Sequence, residues 1–192
     1  CAEKHGVNKH IMALWHDSGG ECPNFAALPS LCFAGEYFFG NKDIESIKQK
    51  FYDLVKIPFE DFIALDKMDV VDVAFEEMFN QNPSKYMLYN DCFMGMSDTT
   101  VKLGAAEIYK RHAKQLEKYV GDERFGYLFD WAKAMCDLLV VKYDLGVRLR
   151  NTYQAKDTKG LKDCLARMEK TVELMQNYYE KFRTAWYRDN KT

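Results

Sequence analysis

Long apolar runs and an excess of one charge sign are both absent from this 192-residue chain. No stretch reaches the roughly 20 apolar residues that a membrane-spanning helix requires, so we expect no membrane-embedded segment. The 27 Lys and Arg residues are balanced by 29 Asp and Glu residues, which gives a formal net charge of -2. Because contacts to phosphates require a basic face, this balance argues against nucleic acid as a partner.

Patterns typical of a metal site are also absent. The six cysteines include no Cys-x-x-Cys pair, and the four histidines show no His-x-x-His or His-Glu-x-x-His spacing. We therefore expect no metal and no cofactor, and we interpret the cysteines as reduced, buried thiols that act as small hydrophobic residues. Such thiols favour a reducing compartment, so the predicted location is cytoplasmic.

The composition is that of a globular protein, with 47% hydrophobic and 29% charged residues. No internal repeat or low-complexity segment is visible. The chain begins with polar residues and has neither an initiator Met nor the apolar segment of a signal peptide. We therefore expect it to be part of a longer protein.

Residues 1–40 predict one β/α unit at the end of a larger domain. Residues 11–14 form a short apolar run that indicates a strand, and residues 24–37 indicate a helix. The polar loop between them carries the paired Gly19 and Gly20, together with an aromatic ring and two carboxylates, at Trp15, Asp17 and Glu21. These side chains suit a site for a sugar or another polar small molecule. A parallel strand requires neighbours on both sides, so the rest of the domain is expected upstream.

Residues 41–192 predict a second, entirely α-helical domain. Short helices are expected over residues 44–55, 59–65 and 83–91, with a connector and a helix over 66–82. Three long helices are expected over residues 99–120, 123–155 and 158–188, of which the last two form a long antiparallel hairpin. The predicted fold class is thus mainly α. The predicted inner face of the last helix consists of Leu161, Leu165, Met168, Val172, Met175, Tyr179, Phe182 and Trp186.

Four motifs, in order along the chain, resemble the C-terminal part of bacterial glycoside hydrolase family 20 enzymes. They are Trp15-x-Asp17-x-x-Gly20-Glu21-Cys22, Phe25-Ala26-x-Leu28-Pro29, Tyr89-Asn90-Asp91 and Phe182-Arg183-x-x-Trp186-x-x-Asp189-Asn190-Lys191. The resemblance implies an exo-acting, retaining β-N-acetylhexosaminidase with a (β/α)8 barrel, whose ligand is a terminal N-acetylhexosamine. It also implies catalysis assisted by the substrate's acetamido group, with an Asp-Glu pair on an earlier strand.

That catalytic pair is not expected in this chain. The one adjacent Asp-Glu pair is Asp122-Glu123, which precedes an amphipathic helix, and we interpret it as helix capping. Residues 1–40 would then be the last strand, loop and helix of the catalytic barrel. Residues 41–192 would be the C-terminal helical domain.

The resemblance suggests roles for six residues, each with a structural alternative. Trp15 would stack on the sugar or serve as a core aromatic residue. Asp17, shorter than the family's Glu, would accept hydrogen bonds from sugar hydroxyls or cap the loop. Glu21 would be a second acceptor or a loop brace. The segment Tyr89, Asn90 and Asp91 would cover the barrel mouth of the same or a partner subunit, or end a helix and form a turn.

A second class of function also fits the sequence. The helical region would then be an interaction or dimerisation module with no catalytic role. A homodimer is an expected form of the chain in either case, for instance through pairing of the segment 11–14 between two molecules.

Overall fold

The computed structural model describes residues 3–14, 22–69, 83–101 and 103–190. Helices make up all the regular structure of these residues, and no strand occurs among them. The chain divides into two compact units, Cys1–Ile63 and Ala64–Thr192. The predicted domain boundary after residue 40 stays a prediction.

The β/α unit predicted for the first unit is not shown. Residues 11–14 have no regular secondary structure, and Ile11 is 98% exposed, so the predicted strand is not shown in this chain. An isolated strand has no partner for its backbone groups, and the described residues supply none. The helix of that unit is confirmed: a 3-10 turn at Asn24–Ala27 leads into α1, Leu28–Phe38.

Two further helices complete the first unit, α2 at Ile44–Val55 and α3 at Phe59–Ile63. The sequence offers Asn41 or Asp43 as the cap of α2, and the structure has Asp43: its carboxylate accepts a hydrogen bond of 3.1 Å from the Glu45 amide. The buried ring of Phe51 contacts the ring of Phe62 edge-on, with centroids 5.4 Å apart. These helices thus bury a small aromatic core of their own.

The second unit contains five α-helices among its described residues. They are α4 at Pro83–Tyr89, α5 at Ala106–Leu116, α6 at Gly126–Lys142, α7 at Leu145–Gln154 and α8 at Thr158–Asp189. The helix predicted over residues 99–120 begins only at Ala106, because Val101 is extended and Gly104 has a φ of +97°. The helix predicted within 66–82 falls mostly on residues 70–82, which lie outside the described residues.

Helix α6 forms the centre of the second unit. It packs between α5 and α8, and twelve of its seventeen residues are buried. Such a helix is covered on two sides, as its two apolar stripes predict. Burial raises the pKa of the Cys136 thiol to about 12, which makes this cysteine inert at neutral pH. Cys164 is also buried, whereas Cys22 is exposed, so the prediction of buried thiols is wrong there.

The long helix predicted over residues 123–155 is interrupted at Tyr143 and Asp144, between α6 and α7. The Asp144 side chain is only 2% exposed and is bound by two arginines. Its carboxylate accepts one hydrogen bond from Arg148 and one from Arg167 of α8, each of 2.6 Å. Because the first of the two predicted helices is broken at this point, the predicted hairpin of two continuous helices is not confirmed.

Helix α8 packs along α6 and α7 with its chain direction reversed. Near its C-terminal end, Asp189 accepts a 2.7 Å hydrogen bond from the Tyr127 hydroxyl at the start of α6. Near its N-terminal end, Arg167 donates to the Val141 carbonyl at the end of α6. None of the described helices combines the length and apolar character needed to cross a membrane.

The inner face of α8 differs from the predicted one. Its buried residues are Cys164, Tyr178 and Ala185. The residues that the sequence places inside include four exposed ones, and these are Leu165, Val172, Tyr179 and Trp186. The predicted and the observed buried faces of α8 differ by a rotation of roughly 90° about the helix axis, since successive residues of an α-helix are about 100° apart.

Candidate functional site: a braced loop after α4

The described part of the candidate site is the segment that follows α4. The predicted sugar-site residues Trp15, Asp17 and Glu21 lie outside the described residues. Tyr89 ends α4, and Asn90 and Asp91 begin a loop that continues to Asp98. We call residues 90–98 the braced loop.

Asn90 and Asp91 shape the loop from within. The Asp91 carboxylate accepts hydrogen bonds from the Phe93 and Met94 amides, at 2.7 and 2.9 Å. The Asn90 side chain spans the loop, because its oxygen accepts from the Ser97 amide at 3.1 Å while its nitrogen donates to Asp98. Both side chains therefore stabilise a turn, which is the structural alternative that the sequence indicates.

Two basic residues tie the loop to the helix core. The buried Lys142 ammonium donates to the carbonyls of Met87 and Asn90, at 2.8 and 2.5 Å, and so satisfies the C-terminal end of α4. Arg150 donates to the Cys92 carbonyl at 3.0 Å and forms an ion pair with Asp98. Burial lowers the pKa of Lys142, because the uncharged amine loses less solvation free energy on burial than the charged ammonium does.

Two glycines allow the loop to come this close to α7. Gly95 has a φ of +62°, a left-handed conformation that residues with a side chain rarely adopt. A Cβ atom at Gly146 would lie 3.1 Å from the Cys92 carbonyl oxygen, closer than ordinary contact. The loop backbone and the start of α7 are therefore in direct contact.

The braced loop and the last residue of α4 expose large apolar side chains to solvent. Tyr89, Phe93, Met94 and Met96 are 64%, 75%, 76% and 84% exposed. Where such exposed side chains form a contiguous apolar patch, the patch often binds a ligand or another chain. Hydrogen bonds and an ion pair hold the backbone of the loop at several points. A partner that binds these side chains would therefore cause little further loss of backbone entropy.

Among residues 3–14, 22–69, 83–101 and 103–190, no cluster of three metal-binding side chains occurs. The Asp122 carboxylate stabilises the turn that leads into α6, since it accepts from the Arg124 and Phe125 amides at 3.0 and 2.8 Å. Helix α6 itself begins at Gly126 with Phe125 at the cap position and has no side-chain cap hydrogen bond, so the predicted capping by Asp122 is not shown.

Sequence reasoning missed Lys142 and Arg150 as part of the site. Arg150 and Gly146 lie on the apolar stripe of the predicted helix, where a charge and a glycine are both unusual. The presence of Arg150 and Gly146 on this stripe is the one signal that could have indicated that a loop packs against that face of the helix. Lys142 carries no comparable signal, because its burial depends on the carbonyls at the end of α4.

The Asp91 carboxyl is expected to titrate below the usual aspartate value of about 3.9. The amides of Met94 and Phe93 bind its charged form and thereby lower its pKa. A lowered pKa means that the turn is stabilised at neutral pH and loses this stabilisation as the pH falls through the folded-state pKa. NMR titration of these two amide protons measures the effect, with Asp91→Asn as a variant that should show no such step. A midpoint at or above 3.9 would contradict the carboxylate's role in the turn.

The comparison with known families gives one match. Residues 60–192 match the family model described as Glycoside Hydrolase 20C C-terminal domain. No curated protein matches the chain. The matched region contains the braced loop, both basic residues that hold it, and α4 to α8.

Proposed function

The chain belongs to the Glycoside Hydrolase 20C C-terminal domain family, and on that premise we propose that it is the C-terminal part of an exo-acting β-N-acetylhexosaminidase. The observation that carries the proposal is the match over residues 60–192, which covers more than half of the chain. The parent protein is accordingly a glycoside hydrolase. Its retaining, substrate-assisted hydrolysis of a terminal N-acetylhexosamine is our proposal, as is its cytoplasmic location.

In this proposal, residues 15–21 supply the contacts to the terminal sugar. Trp15 provides a flat apolar ring on which the CH face of a pyranose packs. Asp17 accepts hydrogen bonds from sugar hydroxyls, and hydrogen bonds to a charged acceptor are the stronger kind. Glu21 provides a second acceptor. The catalytic Asp-Glu pair is contributed by a region of the parent protein upstream of this chain.

The braced loop would cover the mouth of the barrel, in the same or a partner subunit. Support for this role comes from the exposure of Tyr89 and Phe93 on a backbone that Lys142 and Arg150 hold in place. A rigid aromatic platform suits a sugar, because both partners are ordered before they meet. Asn90 and Asp91 would act indirectly, by keeping the platform in position.

The proposed function is tested by replacing Asp17 in a longer protein that carries the complete barrel. Asp17→Ala is expected to lower kcat/KM for an aryl β-N-acetylglucosaminide roughly 10- to 150-fold, the equivalent of about 1.5–3 kcal/mol for a hydrogen bond to a charged group. The melting temperature should change little. Steady-state kinetics and thermal unfolding of the same preparations give both values.

Ser18→Ala is the matched control, since it removes a polar group from the same loop without removing a charge. It should retain kcat/KM within about twofold. If Asp17→Ala lowers the melting temperature and leaves kcat/KM unchanged, Asp17 is a brace of the loop. Absence of hexosaminidase activity from the longer protein would defeat the proposed function itself.

A further inference from the structure

Lys142 places a charge almost out of reach of solvent. It is the last residue of α6 and is 9% exposed. A buried charge requires polar partners, and the ammonium of Lys142 donates to the carbonyls of Met87 and Asn90, at 2.8 and 2.5 Å. Both partners lie where α4 ends and the braced loop begins, so the charge of Lys142 is directed at the start of the loop.

These two carbonyls are groups that the end of a helix leaves without partners. The last backbone hydrogen bond of α4 runs from the Asn90 amide to the Tyr86 carbonyl, at 2.9 Å. The carbonyls that follow lie at the negative end of the helix dipole, which favours a cation. The ammonium of Lys142 thus fixes the direction in which the chain leaves α4.

Stability alone does not account for a lysine at this position. Burial is the largest influence on the pKa of Lys142 and lowers it, whereas Cys92 and Asp91 in the loop act in the opposite direction. A lowered pKa means that folding disfavours the charged amine relative to the neutral one. Replacement of a buried charge by an apolar side chain of similar volume is often neutral or stabilising. The charge is therefore better explained by what it holds in place.

The tie at Asn90 sets the position of the Phe93 ring. The carbonyl of Asn90 is bound by Lys142, and its side-chain oxygen accepts from the Ser97 amide at 3.1 Å. Asp91, the next residue, accepts from the Phe93 amide at 2.7 Å. Between the tie and the exposed ring there are thus three residues of main chain, which these bonds hold in one conformation.

We propose that Lys142 is a positioning residue of the parent enzyme and that it acts on substrate binding through Phe93. The inference rests on the proposed function, in which the braced loop covers the mouth of the barrel. Lys142 touches no part of the substrate in this proposal. It keeps the ring of Phe93 in place before the substrate arrives, which favours binding and leaves the chemical step unchanged.

Lys142→Met tests the inference in a longer protein that carries the complete barrel. The variant exchanges the ammonium for an apolar group of similar length. KM for an aryl β-N-acetylglucosaminide should rise at least about fivefold while kcat stays within about twofold, because a contact that binds the ground state and the transition state alike is weakened. The melting temperature should change by less than about 3 °C.

Lys133→Met is the matched control. It removes the same charge from the same helix, but the Lys133 ammonium binds Asp137 of α6, at 2.8 Å. Both KM and kcat should stay within about twofold of the unmodified protein.

A cycle of single and double variants shows whether Lys142 acts through Phe93. Phe93→Ala removes the exposed ring and should raise KM at least about fivefold. In that background Lys142→Met should raise KM by less than about twofold more, because the side chain that it positions is gone. Independent effects would instead multiply to about 25-fold or more.

Hydrogen exchange in the 192-residue chain measures the tie without any substrate. The Gly95 amide donates to the Asp91 carbonyl at 2.9 Å, and the Ser97 amide donates to Asn90 at 3.1 Å. Both amides should exchange at least about tenfold faster in Lys142→Met than in Lys133→Met, because the loop then opens more readily. Amides in the middle of α6 should exchange equally in the two variants.

Each outcome decides the inference. Unchanged exchange of the loop amides overturns it, and so does a lower melting temperature with an unchanged KM, which makes Lys142 a structural residue. Effects on KM that multiply in the double variant overturn the route through Phe93. If the unmodified longer protein lacks hexosaminidase activity, the proposed function fails and this inference fails with it. An active protein whose KM is insensitive to Lys142→Met defeats the inference alone.

Discussion

Expressed alone, the 192-residue chain should hydrolyse aryl β-N-acetylglucosaminides at least about 10⁴-fold more slowly than a longer chain with the complete barrel. General acid catalysis contributes roughly 10²–10⁴-fold and electrostatic stabilisation of the transition state roughly 10²–10³-fold. Both are expected from residues upstream of this chain. The carboxylate of Asp122 stabilises the turn before α6 through the Arg124 and Phe125 amides, so we do not expect it to act as a substitute.

Release of p-nitrophenol by the two proteins at equal concentration measures the difference. Asp122→Asn in the longer protein serves as the control: it keeps an acceptor for the amides of the turn before α6 and should retain full activity. Turnover by the short chain within a few hundredfold of the longer one, abolished by Asp122→Asn, would show that this pair is catalytic after all.

Asp144→Ala should lower the free energy of unfolding by about 2–4 kcal/mol. The substitution leaves Arg148 and Arg167 without the buried carboxylate that both of them bind. Loss of one partner of a buried ion pair typically costs about 3–5 kcal/mol, and the partial exposure of both arginines reduces this cost. Equilibrium unfolding in urea measures the change.

Asp163→Ala on α8 is the matched control, because this aspartate is exposed. It should change the free energy of unfolding by less than about 0.5 kcal/mol. If Asp144→Ala changes the free energy of unfolding as little as Asp163→Ala does, the two arginines do not stabilise the junction of α6 and α7 as the structure indicates.

Local signals in the sequence predict the starts of α2, α4 and α8 well, whereas α5 begins seven residues after its predicted start. Asp43 and Asp157 each accept a hydrogen bond from an amide two or three residues ahead, as their side chains and positions imply. A cap depends on a few neighbouring residues, so sequence contains most of the required information. The helix that begins at Pro83 was predicted for the same kind of reason.

Features that depend on distant contacts were not predictable from the sequence. At the break between α6 and α7, Asp144 is bound by Arg167, which is 23 residues away, and no glycine or proline lies among the residues directly before it. The inner face of α8 was misassigned because the buried face contains the small Cys164 and Ala185, whereas the exposed stripe has the larger apolar side chains. Hydrophobicity alone therefore favours a set of residues of which four are exposed and the other four only half-buried.

The candidate site was predicted in part. The sequence indicates a turn at Asn90 and Asp91, and the structure confirms it. The role of this segment in covering a sugar stays a prediction, as do the roles of Trp15, Asp17 and Glu21.

The ties that hold the braced loop have a consequence for how its surface can diverge between related proteins. Lys142 and Arg150 bind backbone carbonyls, and Asp91 binds backbone amides, so these ties are independent of which side chains residues 92–94 carry. Substitutions at Phe93 and Met94 can change the chemistry presented to a ligand while the loop keeps its path. Gly95 and Gly146 are the exceptions, because a side chain at either position would meet its neighbours. Selection for a new ligand preference can thus act on the tip of the loop without loss of its shape.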